Sequence, residues 1–388
     1  MEITEPSRAA ALVRLAAFAP RMGADYARGR NADPGPGARS DVSRLSPHVR
    51  HRLLLESELV GMALEWHGAR EAEKFIQEVF WRSYWKGYLQ LRPGMWDDHL
   101  ARVARERAAL ATQAGLRRAV EQAMAGRTGI ACLDAWAAEL VEEGWLHNHA
   151  RMWFASIWIF TLRLPWPLGA AFFQAHLKDH DAASNLLSWR WVAGIQTPGK
   201  HYLARAENIA RFTQGRFDPR GELDEAAASL DEPGPPPPGA LAAPPLLPRG
   251  PVALLLHEDD LHVESLPDWP VARLAAVPGS TPFAEAALED ALRRAGARFA
   301  CPGTRVAPGE VADWAGGLPV VAPDIPVGPA ADALAGAAPL RWRRPWDAAC
   351  WPLARKGYFQ FRIAIPGLLE SLRPLAPEGL QRGSRVAT

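Results

Sequence analysis

The sequence predicts a mainly α protein in which an all-helical domain is followed by a small α/β domain. Three observations carry that reading. Before residue 220, apolar residues recur at three- and four-residue steps, and few runs alternate with period two. The segment "DEPGPPPPGALAAPPLLPRGP" (231–251) holds nine prolines; proline fixes φ and lacks an N–H, so this reads as a semi-rigid spacer without regular structure. Beyond it, short apolar runs alternate with helical stretches, the texture of a parallel sheet covered by helices. The expected division is a helical domain over 1–225, a linker over 226–251 and an α/β domain over 252–388.

Taken in order, "DVSRLSPHVRHR" (41–52) puts Ser43 and Ser46 ahead of Pro47 at a predicted helix start. Hydroxyls and free N–H groups there suit an anion, although Ser-Pro starts are also ordinary caps. "ELVGMALEWHGAREAEKFIQEVFWRSYWKGYL" reads as helix, with Glu78, Trp81, Arg82 and Trp85 on one face at i, i+3, i+4 and i+7. That face suits a polar, planar ligand, or an amphipathic helix whose charges reach past core tryptophans. In "LDAWAAELVEEGWLHNHARMWFASIWIF", Asn148, Arg151 and Met152 fall within about one turn. An amide can pair with a heterocycle edge, a guanidinium can grip phosphate or carboxylate, and a thioether gives a soft contact to a ring. A capped helix with a structural asparagine fits equally well. The apolar run 153–173 is broken by Arg163, Pro165 and Pro167, so a buried core helix followed by a turn is expected and not a membrane span.

"LKDHDAASNLLSWRWVAG" (177–194) supplies Asp179, Asp181, Asn185, Trp189 and Trp191. The D-x-D pair could hold a divalent metal or accept hydrogen bonds. No third carboxylate lies nearby in sequence, so no metal is expected. After the spacer, "PVALLLHEDDL" reads as a short buried strand, while "PFAEAALEDALRRAGARFACPG" and "EVADWAGGLPVVAPDIPVG" each read as helix then strand. Neither GxGxxG nor GxxxxGK[ST] occurs there.

Composition narrows the class. At 388 residues, 48% hydrophobic and 22% charged, the chain is globular and not disordered. Cys132, Cys301 and Cys350 form no CxxC pair; this argues against zinc or a disulfide framework and fits a reducing cytoplasm. Met1–Pro6 is acidic, unlike the start of a signal peptide. Residues 1–220 hold 29 Lys+Arg against 23 Asp+Glu, and residues 221–388 hold 15 against 20. A basic first part permits contact with phosphates. Eleven of the sixteen tryptophans lie before residue 220, which suits dense packing, stacking on planar ligands or electron passage through indoles.

In this order, "YARGR" with "SRLSP", "FIQEVFWRSYWK", "GRTGIACLDAWAAELVEEGWLHNHARM" and "LPWPLGAAFFQAHLKDHDAASNLLSWRWVAG" leading into "FTQGRFDP" resemble the FAD-binding domain of the DNA photolyase and cryptochrome family. The resemblance runs from about Tyr26 to Pro219. It implies an all-helical domain holding FAD in a folded, U-shaped conformation. Tyr26, Ser43, Ser46, Arg82 and Arg151 would surround the diphosphate and its approach. Asp179 and Asp181 would hold the ribityl or adenine side and the isoalloxazine. Asn185 would face flavin N5, and Asn148 would stand between flavin and substrate. Glu78, Trp81, Asn148, Met152 and Trp191 match the lesion contacts of photolyases that act on cyclobutane pyrimidine dimers. Trp189 and Trp166 match the two tryptophans that relay electrons to oxidised FAD, while Trp96 and Trp153 are candidates for a third. Asparagine in "HNH", where enzymes for the pyrimidone-type photoproduct carry a second histidine, favours the cyclobutane dimer.

The implied activity is light-driven repair of cyclobutane pyrimidine dimers in UV-damaged DNA. The alternative is a blue-light photosensor without repair, signalling to a protein partner through the C-terminal α/β module. Two departures stand out. The family's usual N-terminal antenna domain is not expected ahead of the helical part, and the C-terminal module is expected to dock in a comparable position. Val42 also replaces a usual hydroxyl residue.

Overall fold

The computed structural model describes residues 5–38 and 41–380. The acidic start of the chain, Met1–Thr4, and the last eight positions of the expected 252–388 domain lie outside the described residues. The described residues form two compact units that do not follow chain order. One comprises 1–27, 43–91 and 238–388, and the other 28–42 and 92–237. The expected helical domain over 1–225 is thus shared between units, and the C-terminal module groups with two early segments.

In the first unit, the parallel sheet consists of β1 (Val252–Leu256), β2 (Val271–Ala276), β3 (Gly303–Arg305), β4 (Val320–Pro323) and β5 (Leu340–Trp342). Their spatial order is β3-β2-β1-β4-β5. Leu254 pairs with Leu274 on one side and Val321 on the other, so β1 is central. All five of its residues are buried, which is why "VALLL" is a continuous apolar run without alternation. The strand order reverses at β1, where doubly wound sheets open a crevice beyond the strand ends. Here the loop leaving β1 fills that position with ion pairs. Arg50 bonds Asp259; Arg52 meets Asp260 at 3.1 Å, Asp347 at 2.7 Å and Glu56 at 3.3 Å; Arg344 holds Asp260 at 2.6 and 2.7 Å. Burial alone would raise the Asp260 pKa, but Arg344 and Arg52 hold it well below the carboxylate range.

Within the same unit, helices Glu56–Glu71 and Glu73–Gln90 pack against each other, and the second also carries Pro345–Cys350 and Tyr358–Ile363. Gly87 is a close-approach position, since a Cβ there would lie 2.7 Å from the Trp351 Cα. Trp346 Nε1 donates to Ser83 Oγ at 2.8 Å, giving the buried indole its partner.

The second unit is helical: Gly94–Thr112, Ala114–Met124, Ala131–Glu143, Asn148–Ser156, Trp166–His176, Ala182–Val192 and Ala206–Phe212. Trp136, Trp153, Phe154 and Trp158 are fully buried at its centre. The apolar run after Ser156 continues as a π turn, Ile157–Thr161, and ends before Pro165. It is a core element, as expected. The spacer has no regular structure but is not free. Arg92 donates to the Pro236 carbonyl at 2.8 Å, Arg190 to Pro233 at 3.4 Å, and Trp166 Nε1 to Glu232 at 3.1 Å. Among the described residues, no helix is long and apolar enough to cross a membrane.

Candidate functional site

The "HNHARM" stretch begins at a helix break. Gly144 ends the Ala131–Glu143 helix at φ +62°, and a Cβ there would lie 2.9 Å from Lys178 Cγ. The chain restarts as helix at Asn148 with His147 as N-cap, its Nδ1 accepting from His149 N at 3.1 Å. Burial pushes the His147 pKa down to about 4, so this ring is neutral. His149 Nδ1 lies 3.0 Å from the Asn31 carbonyl. A carbonyl only accepts, so Nδ1 carries the proton and Nε2 accepts from Tyr202 OH at 3.3 Å. Both histidines are therefore structural. Asn148 stands exposed beside half-buried Met152, its Nδ2 3.9 Å from the sulfur.

One turn on, Arg151 grips Asp179 with two bonds, 3.3 and 2.9 Å, and donates Nε to the Leu146 carbonyl. Asp181 caps the Ala182–Val192 helix, accepting from Ser184 N at 2.8 Å. Asn185 donates Nδ2 to the Ala170 carbonyl at 2.8 Å and to Gln174 Oε1 at 3.4 Å. Gln174 is itself oriented by donating to the His180 carbonyl at 2.7 Å. Two backbone carbonyls thus fix both amides, and the Asn185 Oδ1 is left as the acceptor. Gln174 was not singled out in the sequence; its spacing of four from Ala170 was the available signal.

Trp189 is buried edge-on to Trp158 (centroids 6.4 Å) and Phe173 (5.2 Å). It presses on Gly169, where a Cβ would lie 2.3 Å from its ring. Trp166 stacks instead on His99 at 5.7 Å, and Trp96 lies tilted at 42° to His99, also 5.7 Å away. Trp191 is half-buried and stacks on Tyr202 at 5.7 Å. Trp153 stacks between Trp136 and His149, at 5.4 and 4.1 Å. "GRTGIACLD" is a structural lock, in which Asp134 accepts from Thr128 N, Thr128 Oγ1 and Gly129 N at 2.7–3.0 Å.

The remaining expected residues lie in the first unit. Half-buried Trp81 is stacked face to face on Tyr358, with centroids 3.5 Å apart at 12°. One face of this indole is therefore filled by a residue that sequence reasoning passed over. Arg82 Nε meets Glu56 at 3.2 Å and its NH2 meets the Arg50 carbonyl at 3.3 Å. Glu78 is half-buried on the same helix. Tyr26 packs edge-on to Phe75 at 5.2 Å. A helix does start at Ser46 with Pro47 following. Ser43 Oγ accepts from Leu45 N at 3.2 Å, whereas the buried Ser46 Oγ has no partner. No group of three or more His, Cys, Asp or Glu able to hold a metal occurs among the described residues.

Residues 75–224 match the family described as the FAD binding domain of DNA photolyase. Over this stretch the chain is similar to the photolyase/cryptochrome family. FAD is the cofactor that this domain indicates. The chain is 35% identical over 202 residues to the deoxyribodipyrimidine photo-lyase of Streptomyces griseus, covering 51% of this chain and 41% of that protein. It is 39% identical over 97 residues to Cryptochrome-2 of Arabidopsis thaliana, 25% of this chain and 16% of the relative. A bacterial class III photolyase from Agrobacterium tumefaciens aligns at TM-score 0.43 and 25% identity over 54% of this chain and 43% of that one. The chain spans less than half the length of these relatives.

Two atoms, one in each unit, each suit FAD chemistry on their own. The Asn185 carbonyl is an acceptor, as the N5–H of a reduced flavin requires. The unpartnered Ser46 hydroxyl can donate to a phosphate oxygen.

Proposed function

We propose that this protein is a light-driven lyase that repairs cyclobutane pyrimidine dimers in UV-damaged DNA. The observation that carries the reading is the fixed amide of Asn185, whose carbonyl suits a reduced flavin and which has no proton to deliver to it. FAD, when bound and reduced, supplies light absorption and the single electron. The chain's residues do the rest. Asn185 accepts at N5; Arg151, aligned by Asp179, offers its guanidinium to the diphosphate; Asp179 and Asp181 line the ribityl and flavin side; Tyr26, Ser43, Ser46 and Arg82 serve the diphosphate. Asn148 and Met152 share an accessible face, an amide for base edges and a thioether for ring contact. Glu78 adds a carboxylate acceptor for pyrimidine N–H. Trp191, backed by Tyr202, offers a ring for stacking, as does Trp81 on the side away from Tyr358. Trp189 and Trp166 relay electrons that restore reduced FAD. The substrate is an extruded dimer, whose poor stacking lowers the cost of leaving the duplex.

The second reading is a photosensor in which the C-terminal module meets a protein partner; the similarity to Cryptochrome-2 favours it. Illuminating the reduced, FAD-loaded protein with dimer-containing oligothymidylate separates the two. Recovery of thymine absorbance supports the lyase. No recovery with FAD bound leaves the photosensor.

A further inference from the structure

The C-terminal module carries a surface that the repair reading does not use. Residues 221–388 are acidic as a whole, yet 351–373 hold Arg355, Lys356, Arg362 and Arg373 against Glu370 alone. At the centre of this island, the Tyr358–Ile363 helix turns Tyr358 and Phe361 inward. Tyr358 stacks on Trp81 and donates its hydroxyl to the Gln77 carbonyl at 2.7 Å. Phe361 packs against Phe80 and Tyr84 at 6.2 and 5.5 Å, and Tyr84 OH donates to the Lys356 carbonyl at 3.0 Å. The helix is thereby anchored on the Glu73–Gln90 helix.

Its outer side is unusual. Phe359 and Ile363, four residues apart on one face, are 75% and 72% exposed. Arg355, Lys356 and Arg362 are exposed beside them, with the Arg362 guanidinium 5.6 Å from the Phe359 ring centre. Two large apolar side chains left in water, ringed by cations, suit a partner that offers both apolar rings and negative charge. Single-stranded or unstacked DNA offers both, and base stacking on aromatic side chains combined with basic tracking of phosphates is how such strands are held.

We propose that Phe359 and Ile363 contact bases left unstacked around an extruded dimer, while Arg355, Lys356 and Arg362 take the flanking phosphates. Through Tyr358, the surface is braced on Trp81, one of the proposed lesion contacts. The proposal rests on the repair reading for the identity of the strand. It adds a DNA contact from outside the FAD-binding domain.

The test measures dark binding of the FAD-loaded full chain to a labelled duplex with one thymine dimer and to its undamaged single strand, across several salt concentrations. The Lys356→Ala/Arg362→Ala double variant is expected to weaken both and to lower the slope of log affinity against log salt by about 1.5–2. Phe359→Ala is expected to weaken the dimer duplex about tenfold. All three positions are exposed, and bound FAD reports that the fold is kept. If the chain prefers dimer DNA and the variants match the unaltered protein in affinity and slope, this surface is not a DNA contact, while the repair reading stands. If the chain shows no preference for the dimer but the double variant still lowers the slope, the surface stands and the repair reading falls. Failure to bind any DNA overturns both. A dimer of the protein that Phe359→Ala dissociates would assign the face to a second copy and overturn the proposal.

Discussion

Arg151 illustrates what a single side chain does here. Its two bonds to Asp179 and one to the Leu146 carbonyl hold the start of the Asn148–Ser156 helix to the turn carrying Asp179. Asp179 is nearly buried, so losing Arg151 takes a charge partner from a carboxylate in a poor solvent. Arg151→Met should cost about 3 kcal/mol of stability, read as a lower urea midpoint, and should reduce FAD content in the purified protein. A variant with unchanged midpoint and full FAD would show that the pair does neither job. At this scale the sequence was partly legible. Asn148, Arg151 and Met152 stood out because their residue types are poor choices for a simple core helix. The tautomers of His147 and His149 were not legible, because they depend on carbonyls and amides that the fold supplies.

Helices set the next scale, and their close approaches are specific. The Trp166–His176 and Ala182–Val192 helices meet where Gly169 faces Trp189. Gly169→Ala inserts a methyl into space already taken by the indole. It should cost about 1–3 kcal/mol, and should slow photoreduction of oxidised FAD by displacing Trp189. Unaltered photoreduction in a folded variant would remove Trp189 from the relay. Three helices also carry buried histidines: His48 in Ser46–Arg50, His99 in Gly94–Thr112 and His147 at the cap of Asn148–Ser156. Burial pushes each down to about 4 from an ordinary value near 6.5. The unfolded chain therefore binds protons there that the folded chain refuses. Stability is whole above about pH 6.5 and falls as pH drops toward 4, by about 1 kcal/mol per histidine per pH unit. Urea midpoints at pH 7 and pH 5 check this, and a flat profile would contradict it. The helices themselves were legible from apolar spacing, and the short strands from runs such as "VALLL". The kink at Gly68 and the π turn at Ile157–Thr161 were not, because periodicity over a long window averages across a local break.

Over the whole chain, the helical part followed by a small parallel sheet was readable from the change of texture at the prolines. The grouping of segments was not. Arg50 and Arg52 find their carboxylates 209, 208 and 295 positions away, in Asp259, Asp260 and Asp347. Charges so far apart in sequence give no local pattern. The same holds for Tyr358, whose hydroxyl partner lies 281 positions earlier. The FAD-binding stretch was legible because four motifs kept their order, whereas its individual contacts depend on packing. Under the proposed function this chain uses light and reduced FAD to split pyrimidine dimers. The most direct measurement is the time course of thymine absorbance at equal protein and dimer concentrations, in light and in darkness, with FAD reduced and with FAD oxidised. The account predicts recovery only in the illuminated, reduced sample. Recovery at the same rate in darkness, or none in light with reduced FAD bound, would contradict it.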